Sequence, residues 1–457
     1  MDARTPTAER FVPTKPPEHG PLPVWRLFVG EMAKNPIATV ADVSYDLPYA
    51  SRRIMGRMYH AVQDPDGIKR VLLDNQPNYV RPSFLPRLLP LIAKGLFGAD
   101  GAEWKSQRRL MAPVFTPANV AEFMPIFQDV GRGVADRWSR QVPGVVDVAR
   151  DATGATFDVI SAALFSSEHG LSGDEAARHV HAALAAAGQP RISVLLGLAD
   201  LDPGSRGGRE AQGVIRERIA AFIARRQANP DPPPDFMTRL IAAFSAEHEP
   251  KEAAQLALHN AVTFLVAGHE TTANALAWTF YLLSEQPQAQ AWCAEEARAA
   301  LRPGATPQEV LDGLVYLRWV LEEAMRLYPP APRIEREAAE DDELGPIQVR
   351  KGDLLGIWPW VVHRHRLLWD DPDAFNPENF SPEAKARHHR FQYIPFGAGP
   401  RICIGAQFAT AEALLIAAEW LARYEFAPAP GRQVEVASDV ALRPKGGLPL
   451  RVKVRKG

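Results

Sequence analysis

Apolar positions in residues 121–138, 209–227 and 314–327 recur every three to four places with charges between them, a spacing that predicts three amphipathic helices. The longest helical pattern, residues 252–284, runs 33 residues without a proline and is apolar on nearly every side in its middle. Such a helix needs cover on all faces, so it is expected to run through the interior of a large domain. Pro287 predicts its end. Strand-like stretches are few: residues 53–62, 353–358 and 433–454, the last read as a small sheet turning at Lys445-Gly446-Gly447. Residues 229–234 (NPDPPP) and the glycine-rich 200–208 read as loops. There is no internal repeat and no shift in composition to divide the chain. The expected fold class is mainly α with a small β part. The expected organisation is a Pro-rich N-terminal arm (1–22) and one large domain (23–457).

Composition narrows the function more than the fold. Of 457 residues, 46% are hydrophobic and 23% charged, enough for a sizeable core. The net charge of −2 gives no reason to expect a nucleic-acid partner. Two cysteines exclude a disulfide framework and a four-cysteine iron–sulfur cluster, and a reducing, cytoplasmic setting is expected. The first 25 residues hold no signal-type apolar run, and no stretch approaches the roughly 18 apolar residues of a membrane span.

One of the two cysteines stands in Phe396-Gly-Ala-Gly-Pro-Arg-Ile-Cys403-Ile-Gly405, directly before a strong helical pattern. A cysteine at a helix N-terminus meets free N–H groups and the positive dipole end, which favour thiolate. The plain alternative is a buried, inert thiol. A nucleophile would need a base, and this loop contains no histidine. The frame Phe396, Gly399, Arg401, Cys403, Gly405 resembles the haem-binding signature Phe-x-x-Gly-x-Arg-x-Cys-x-Gly of the cytochrome P-450 family, with every defined position filled. The resemblance implies the fold of that family, with haem b between the long central helix and the helix after the cysteine. It makes Cys403 the axial iron ligand, whose thiolate favours O–O cleavage. It has Phe396 shield the sulfur and Arg401 pair with a haem propionate. Gly397 and Gly405 would let the loop approach a flat macrocycle closely.

Further stretches carry the same likeness. Ala267-Gly268-His269-Glu270-Thr271-Thr272 places an acid and hydroxyls in the middle of the apolar helix. Buried without partners they are costly, and the plain reading is a threonine bonded back to its own turn. The stretch resembles the family's Ala/Gly-Gly-x-Asp/Glu-Thr. By that likeness Ala267 and Gly268 leave room for dioxygen, Thr271 orients a proton donor, and Glu270 relays protons from solvent. Trp104 and Arg108, one turn apart, resemble the family's Trp-x-x-x-Arg and would hold a propionate, with Arg336 as a further partner. In Glu322-Glu323-Ala-Met-Arg326, followed by Leu-Tyr-Pro-Pro, either glutamate can pair with Arg326 by spacing. The likeness selects Glu323, as a structural lock with Arg326. The family's third member of that lock is an arginine, where this chain has Asn379, and Arg387 or Arg390 lies nearby to stand in. His363-Arg364-His365 reads as structural, and Cys293 as a packing residue.

The likeness spans residues 20 to 455 and implies a haem-thiolate monooxygenase. Thr263, Ala267 and Ala331 are expected to line the substrate pocket. The apolar stretches 82–97 and 192–198 favour a fatty acid, a terpenoid or a similar substrate, and core packing explains them equally well. Two electrons must come from a separate ferredoxin with its reductase, or from a flavoprotein. Such a donor is expected to land where Arg108, Arg109 and Arg401 cluster. A peroxide-driven enzyme of the same fold would not need Glu270 and Thr271. A non-catalytic haem sensor would need Cys403 alone, and a haem-free protein neither.

Overall fold

The structure, a computed structural model, describes residues 10–28, 35–54, 56–88, 92–166, 206–438 and 440–456. Its longer helices are α1 (Gly101–Met111), α2 (Pro117–Trp138), α3 (Val148–Phe165), α4 (Arg206–Ala228), α5 (Phe236–Ser245) and α6 (Pro250–Glu285). They continue with α7 (Pro287–Ala300), α8 (Pro307–Gly313), α9 (Val315–Leu327) and α10 (Ala406–Arg423). Their starts obey local chemistry. Thr116, Asp147 and Asp235 each accept a backbone N–H at the mouths of α2, α3 and α5. Thr306 and Glu309 form a reciprocal capping box on α8. Pro287 ends α6 and, at the first position of α7, also starts its successor.

The 36-residue α6 is the axis of the molecule and touches α3, α4, α5, α9 and α10. Its buried faces, with Trp278 and Phe280 among them, pack into one large core with Phe127, Trp138 and Trp420. A five-stranded sheet stands to one side, in the order β1 (Tyr49–Ile54), β2 (Arg57–Val62), β8 (Leu354–Ile357), β5 (Ile334–Ala338), β3 (Tyr79–Val80). Only β2 and β8 run parallel. The remaining strands are β4 (Gly144–Asp147), β6 (Asp342–Leu344), β7 (Ile347–Val349), β9 (Tyr424–Pro428), β10 (Val436–Ser438), β11 (Leu442–Pro444) and β12 (Pro449–Val454). They form the small sheets β4-β12-β9, β10-β11 and β6-β7.

Mainly α with a small β part is the class the patterning implied. Two strand expectations need correction. Residues 53–62 are not one strand but a hairpin that reverses near Gly56, at φ +85°. Residues 433–454 do not make one sheet: β10 and β11 pair with each other, while β12 joins β4 and β9. Period-two alternation reports burial of one face and carries no information on the partner strand. Within the stretch read as a 200–208 loop, residues 206–208 already belong to α4. The rest of that loop and the apolar stretch 192–198 lie outside the described residues.

Part of the N-terminal stretch is tied to the body. The Tyr328 hydroxyl donates to Thr14 O at 2.6 Å, Phe375 N–H donates to Phe11 O at 2.9 Å, and Lys15 meets Asp373 at 2.6 Å. No single described helix is long and apolar enough to cross a membrane.

Candidate active site

The cysteine loop is held by its own backbone. Cys403 N–H donates to Phe396 O at 2.9 Å, and Ile402 N–H to Gly399 O at 3.1 Å. Gly399 sits at φ +69°, and a Cβ there would overlap the carbonyl oxygen of Leu72, so only glycine closes this turn. The helix after the loop begins at Ala406, not at Cys403. Of the free N–H groups expected beside the thiol, that of Gly405, the cap of this helix, pulls it toward thiolate. Cys403 is exposed toward the space in front of it; the protein packed around the loop nevertheless pushes the thiol above its ordinary value, against the smaller opposing pulls of the Gly405 N–H and Arg108. Its sulfur opens onto a cavity of about 470 Å³.

That cavity lies between the cysteine loop and α6. Phe396, Gly397, Arg401, Cys403 and Gly405 line it from the loop, and Thr263, Ala267, Gly268 and Thr271 from the helix. Trp104 and Arg108 contribute from α1, and Ala331 and Arg336 from the segment that forms β5. Between Asn260 and Ser284, α6 is buried at every position except Ala267, Gly268 and Thr271. All three open onto this cavity. Thr271 Oγ1 donates to Ala267 O at 2.7 Å, so its single proton is held by the helix and its lone pairs remain for a donor in the cavity. Glu270 is 8% exposed and is not among the lining residues. A Cβ on Gly268 would come within 3.0 Å of Ile160 Cδ1, so this glycine also allows α3 to pack against α6.

Of the arginines that line the cavity, Arg81, Arg336 and Arg401 are close enough to act on one another, and Arg108 acts on Cys403. Arg401 donates to Ala99 O at 3.0 Å, pairs with Asp100, and lies 4.4 Å above the Trp104 ring. Arg336 donates to Glu335 O at 2.8 Å. The Nε atoms of Arg81, Arg336 and Arg401 are buried without a partner. Burial, and after it the neighbouring Arg401, pull Arg336 down to about 10. Arg81 is lowered by burial, then by Arg336 and Arg401, with Asp100 opposing. Orphaned donors and mutual repulsion mark a site that lacks anionic oxygens. A planar group carrying two carboxylates, with a metal facing Cys403, fits these residues. Arg81 escaped the sequence reading because it belongs to no motif. It follows β3, whose pairing of Val80 with Glu337 brings residue 81 beside Arg336.

Arg108, Arg109 and Arg401 do not form the expected surface patch. Arg108 and Arg401 line the cavity, the Arg401 side chain is 3% exposed, and Arg109 pairs with Glu247 at 2.5 Å.

Beneath the loop, Glu323 and Arg326 are 0% exposed and joined by two hydrogen bonds of 2.7 Å. Glu322 pairs with Lys385 instead. Arg326 also donates to the carbonyls of His363, Pro372 and Ala374. Neither Arg387 nor Arg390 replaces the missing arginine; both are exposed. Asn379 does so itself, its amide donating to Glu323 at 3.3 Å, with Asn376 N–H adding a bond of 2.8 Å. His363 Nε2 accepts Ile394 N–H at 2.9 Å, and burial lowers the ring to about 3, so it stays neutral. No cluster of metal-ligating side chains occurs among the described residues. Cys293 is fully buried in α7.

A sequence profile of the cytochrome P450 family matches residues 16–450. The chain is 28% identical over 414 residues to cyclooctatin synthase of Streptomyces melanosporofaciens, covering 90% of each. It is 28% identical over 416 residues to LUTEIN DEFICIENT 5 of Arabidopsis thaliana, covering 86% of this chain and 70% of that one. It is 28% identical over 413 residues to cytochrome P450 4B1 of Rattus norvegicus, covering 86% and 80%. Among solved structures, the cytochrome P450DA heme domain superposes with a TM-score of 0.80 at 23% identity, covering 97% of this chain and 98% of that one.

Proposed function

Because the chain belongs to the cytochrome P450 family, we propose that this haem monooxygenase hydroxylates an apolar organic substrate at the cavity between Cys403 and α6, using electrons from a separate redox protein. The observation that carries the reading is that between Asn260 and Ser284 α6 is open only at Ala267, Gly268 and Thr271, facing the space that Cys403 faces. Haem b, when bound, supplies the activation of dioxygen. Cys403 would hold its iron, and the thiol proton, which burial alone favours, would leave as a metal cation binds. Trp104, Arg81, Arg108, Arg336 and Arg401 would hold its carboxylates. Removing one charge-assisted donor should cost about a tenfold loss of cofactor affinity. Arg81→Ala is therefore expected to lose haem to an acceptor protein about ten times faster than wild type. Equal rates would remove Arg81 from the set.

The residues of α6 handle protons. Thr271, committed as donor to Ala267 O, accepts a hydrogen bond from a water in the cavity and so fixes the direction in which that water gives its proton. Glu270, next in sequence and buried, replaces that proton from outside the cavity. Phe115, Phe236 and Phe264 meet one another at centroid distances of 5.1–5.3 Å and, with Ile160 and Leu164, make an apolar wall that excludes stray water. A fatty acid, a terpenoid or a similar hydrocarbon fits such a wall. A ferredoxin with its reductase, or a flavoprotein, would supply the electrons. Thr271→Ala tests the proton assignment. Product per electron consumed should fall at least about tenfold, with peroxide accounting for the difference. Unchanged product formation would sink it.

A further inference from the structure

Asn260 shares a face of α6 with Thr263, Phe264 and Ala267, which line the cavity, but it does not line the cavity itself and is 0% exposed. A buried amide in a helix is costly unless its polar atoms are met. Here each of them is. Leu96 N–H donates to Asn260 Oδ1 at 2.8 Å, and Asn260 Nδ2 donates to Leu256 O and to Gln107 Oε1, both at 3.0 Å. The backbone fixes which way the amide points, because Leu96 N–H can only donate and Leu256 O can only accept. Gln107, on α1 and 2% exposed, in turn donates through Nε2 to Lys94 O at 3.2 Å. Side chains of two helices thus grip the backbone of residues 94–96. The approach is close: a Cβ on Gly95 would overlap Thr263 Oγ1 and lie 2.8 Å from His259 O.

The gripped backbone carries cavity wall. Leu96 and Phe97 both line the cavity, and the Arg81 guanidinium lies 4.8 Å from the centre of the Phe97 ring. The far end of the segment is held by Arg401, which donates to Ala99 O at 3.0 Å and pairs with Asp100. We propose that Asn260 is a positioning residue for substrate selection: with Gln107 it fastens segment 94–100 to α6 and so fixes the part of the wall made by Leu96 and Phe97. Without the bond at Leu96 that wall is free to shift, and the shape of the cavity discriminates less. The consequence for substrates rests on the monooxygenase reading; the fastening does not.

Asn260→Leu keeps the bulk and removes the acceptor and both donors. In the haem-loaded protein the Leu96 amide should then exchange its hydrogen about tenfold faster than in wild type, roughly the worth of one hydrogen bond. The Cys403 amide, bonded to Phe396 O, should keep its wild-type rate. Asn260→Asp, which retains an acceptor for Leu96 N–H, should leave Leu96 near the wild-type rate. Dissociation constants for dodecanoic acid and adamantane-1-carboxylic acid, which share a head group and differ in shape, should change unequally in Asn260→Leu, by about fivefold relative to each other. A general loss of stability would change both alike. The exchange readout needs neither substrate nor turnover, so it separates failure of the fastening from failure of the functional reading. Wild-type exchange at Leu96 in Asn260→Leu, equal changes in the two constants, or an aspartate variant that exchanges as fast as the leucine variant would overturn the proposal. Should Asn260→Leu fail to fold, Gln107→Leu decides in its place. The Asn260 amide then loses Gln107 and Lys94 O loses its donor, so Leu96 should exchange about threefold faster, and an unchanged rate there overturns the proposal.

Discussion

Arg326→Ala should cost about 3–5 kcal/mol of stability, the usual penalty for breaking a buried ion pair from one side. The melting temperature should fall by roughly 3–5 °C. The size of the effect follows from what is left behind. Glu323 would lose its cation at 0% exposure, with only Asn379 and the Asn376 N–H left to satisfy it. The carbonyls of His363, Pro372 and Ala374 would each lose a donor in the same change. These carbonyls belong to the segment that leads into the cysteine loop, so loss of bound haem should accompany the loss of stability. Asn379→Ala removes one neutral donor and should cost only about 1 kcal/mol. Thermal unfolding of both variants checks the ordering. An Arg326→Ala protein that melts with wild type would show that the pair carries no structural load.

Cys403→Ser should abolish product formation. The loss should exceed the roughly 10–100-fold that removing an outer partner of a metal ligand costs. The loop geometry does not depend on the thiol: Cys403 N–H to Phe396 O and Ile402 N–H to Gly399 O are backbone bonds. The variant is therefore expected to fold and to keep the arginine edge of the cavity. A folded, haem-containing variant without activity assigns the defect to the sulfur. Retained turnover would move the iron ligand elsewhere.

How much of this was legible in the sequence depends on the range of the interaction. The course of α6 could be read because its apolar run, free of proline, is local, and its end at Pro287 is local too. The cysteine loop could be read because glycine at φ +69°, a backbone-bonded cysteine and an arginine within ten residues form one continuous unit. What could not be read comes from pairing across the chain. Arg81 acquires its meaning only from the register of β3 on β5. The substitution at Asn379 looked like a missing partner because residue type was compared without geometry. A shorter amide donor reaches Glu323 once Asn376 N–H shares the load.

The central claim is that the Cys403 sulfur is bonded to haem iron. The most direct test is the absorption spectrum of the purified protein after reduction and addition of carbon monoxide. Wild type should show the strongly red-shifted band of sulfur-ligated haem, and Cys403→Ala should not. A wild-type protein without the band, or a Cys403→Ala protein that retains it, would contradict the account.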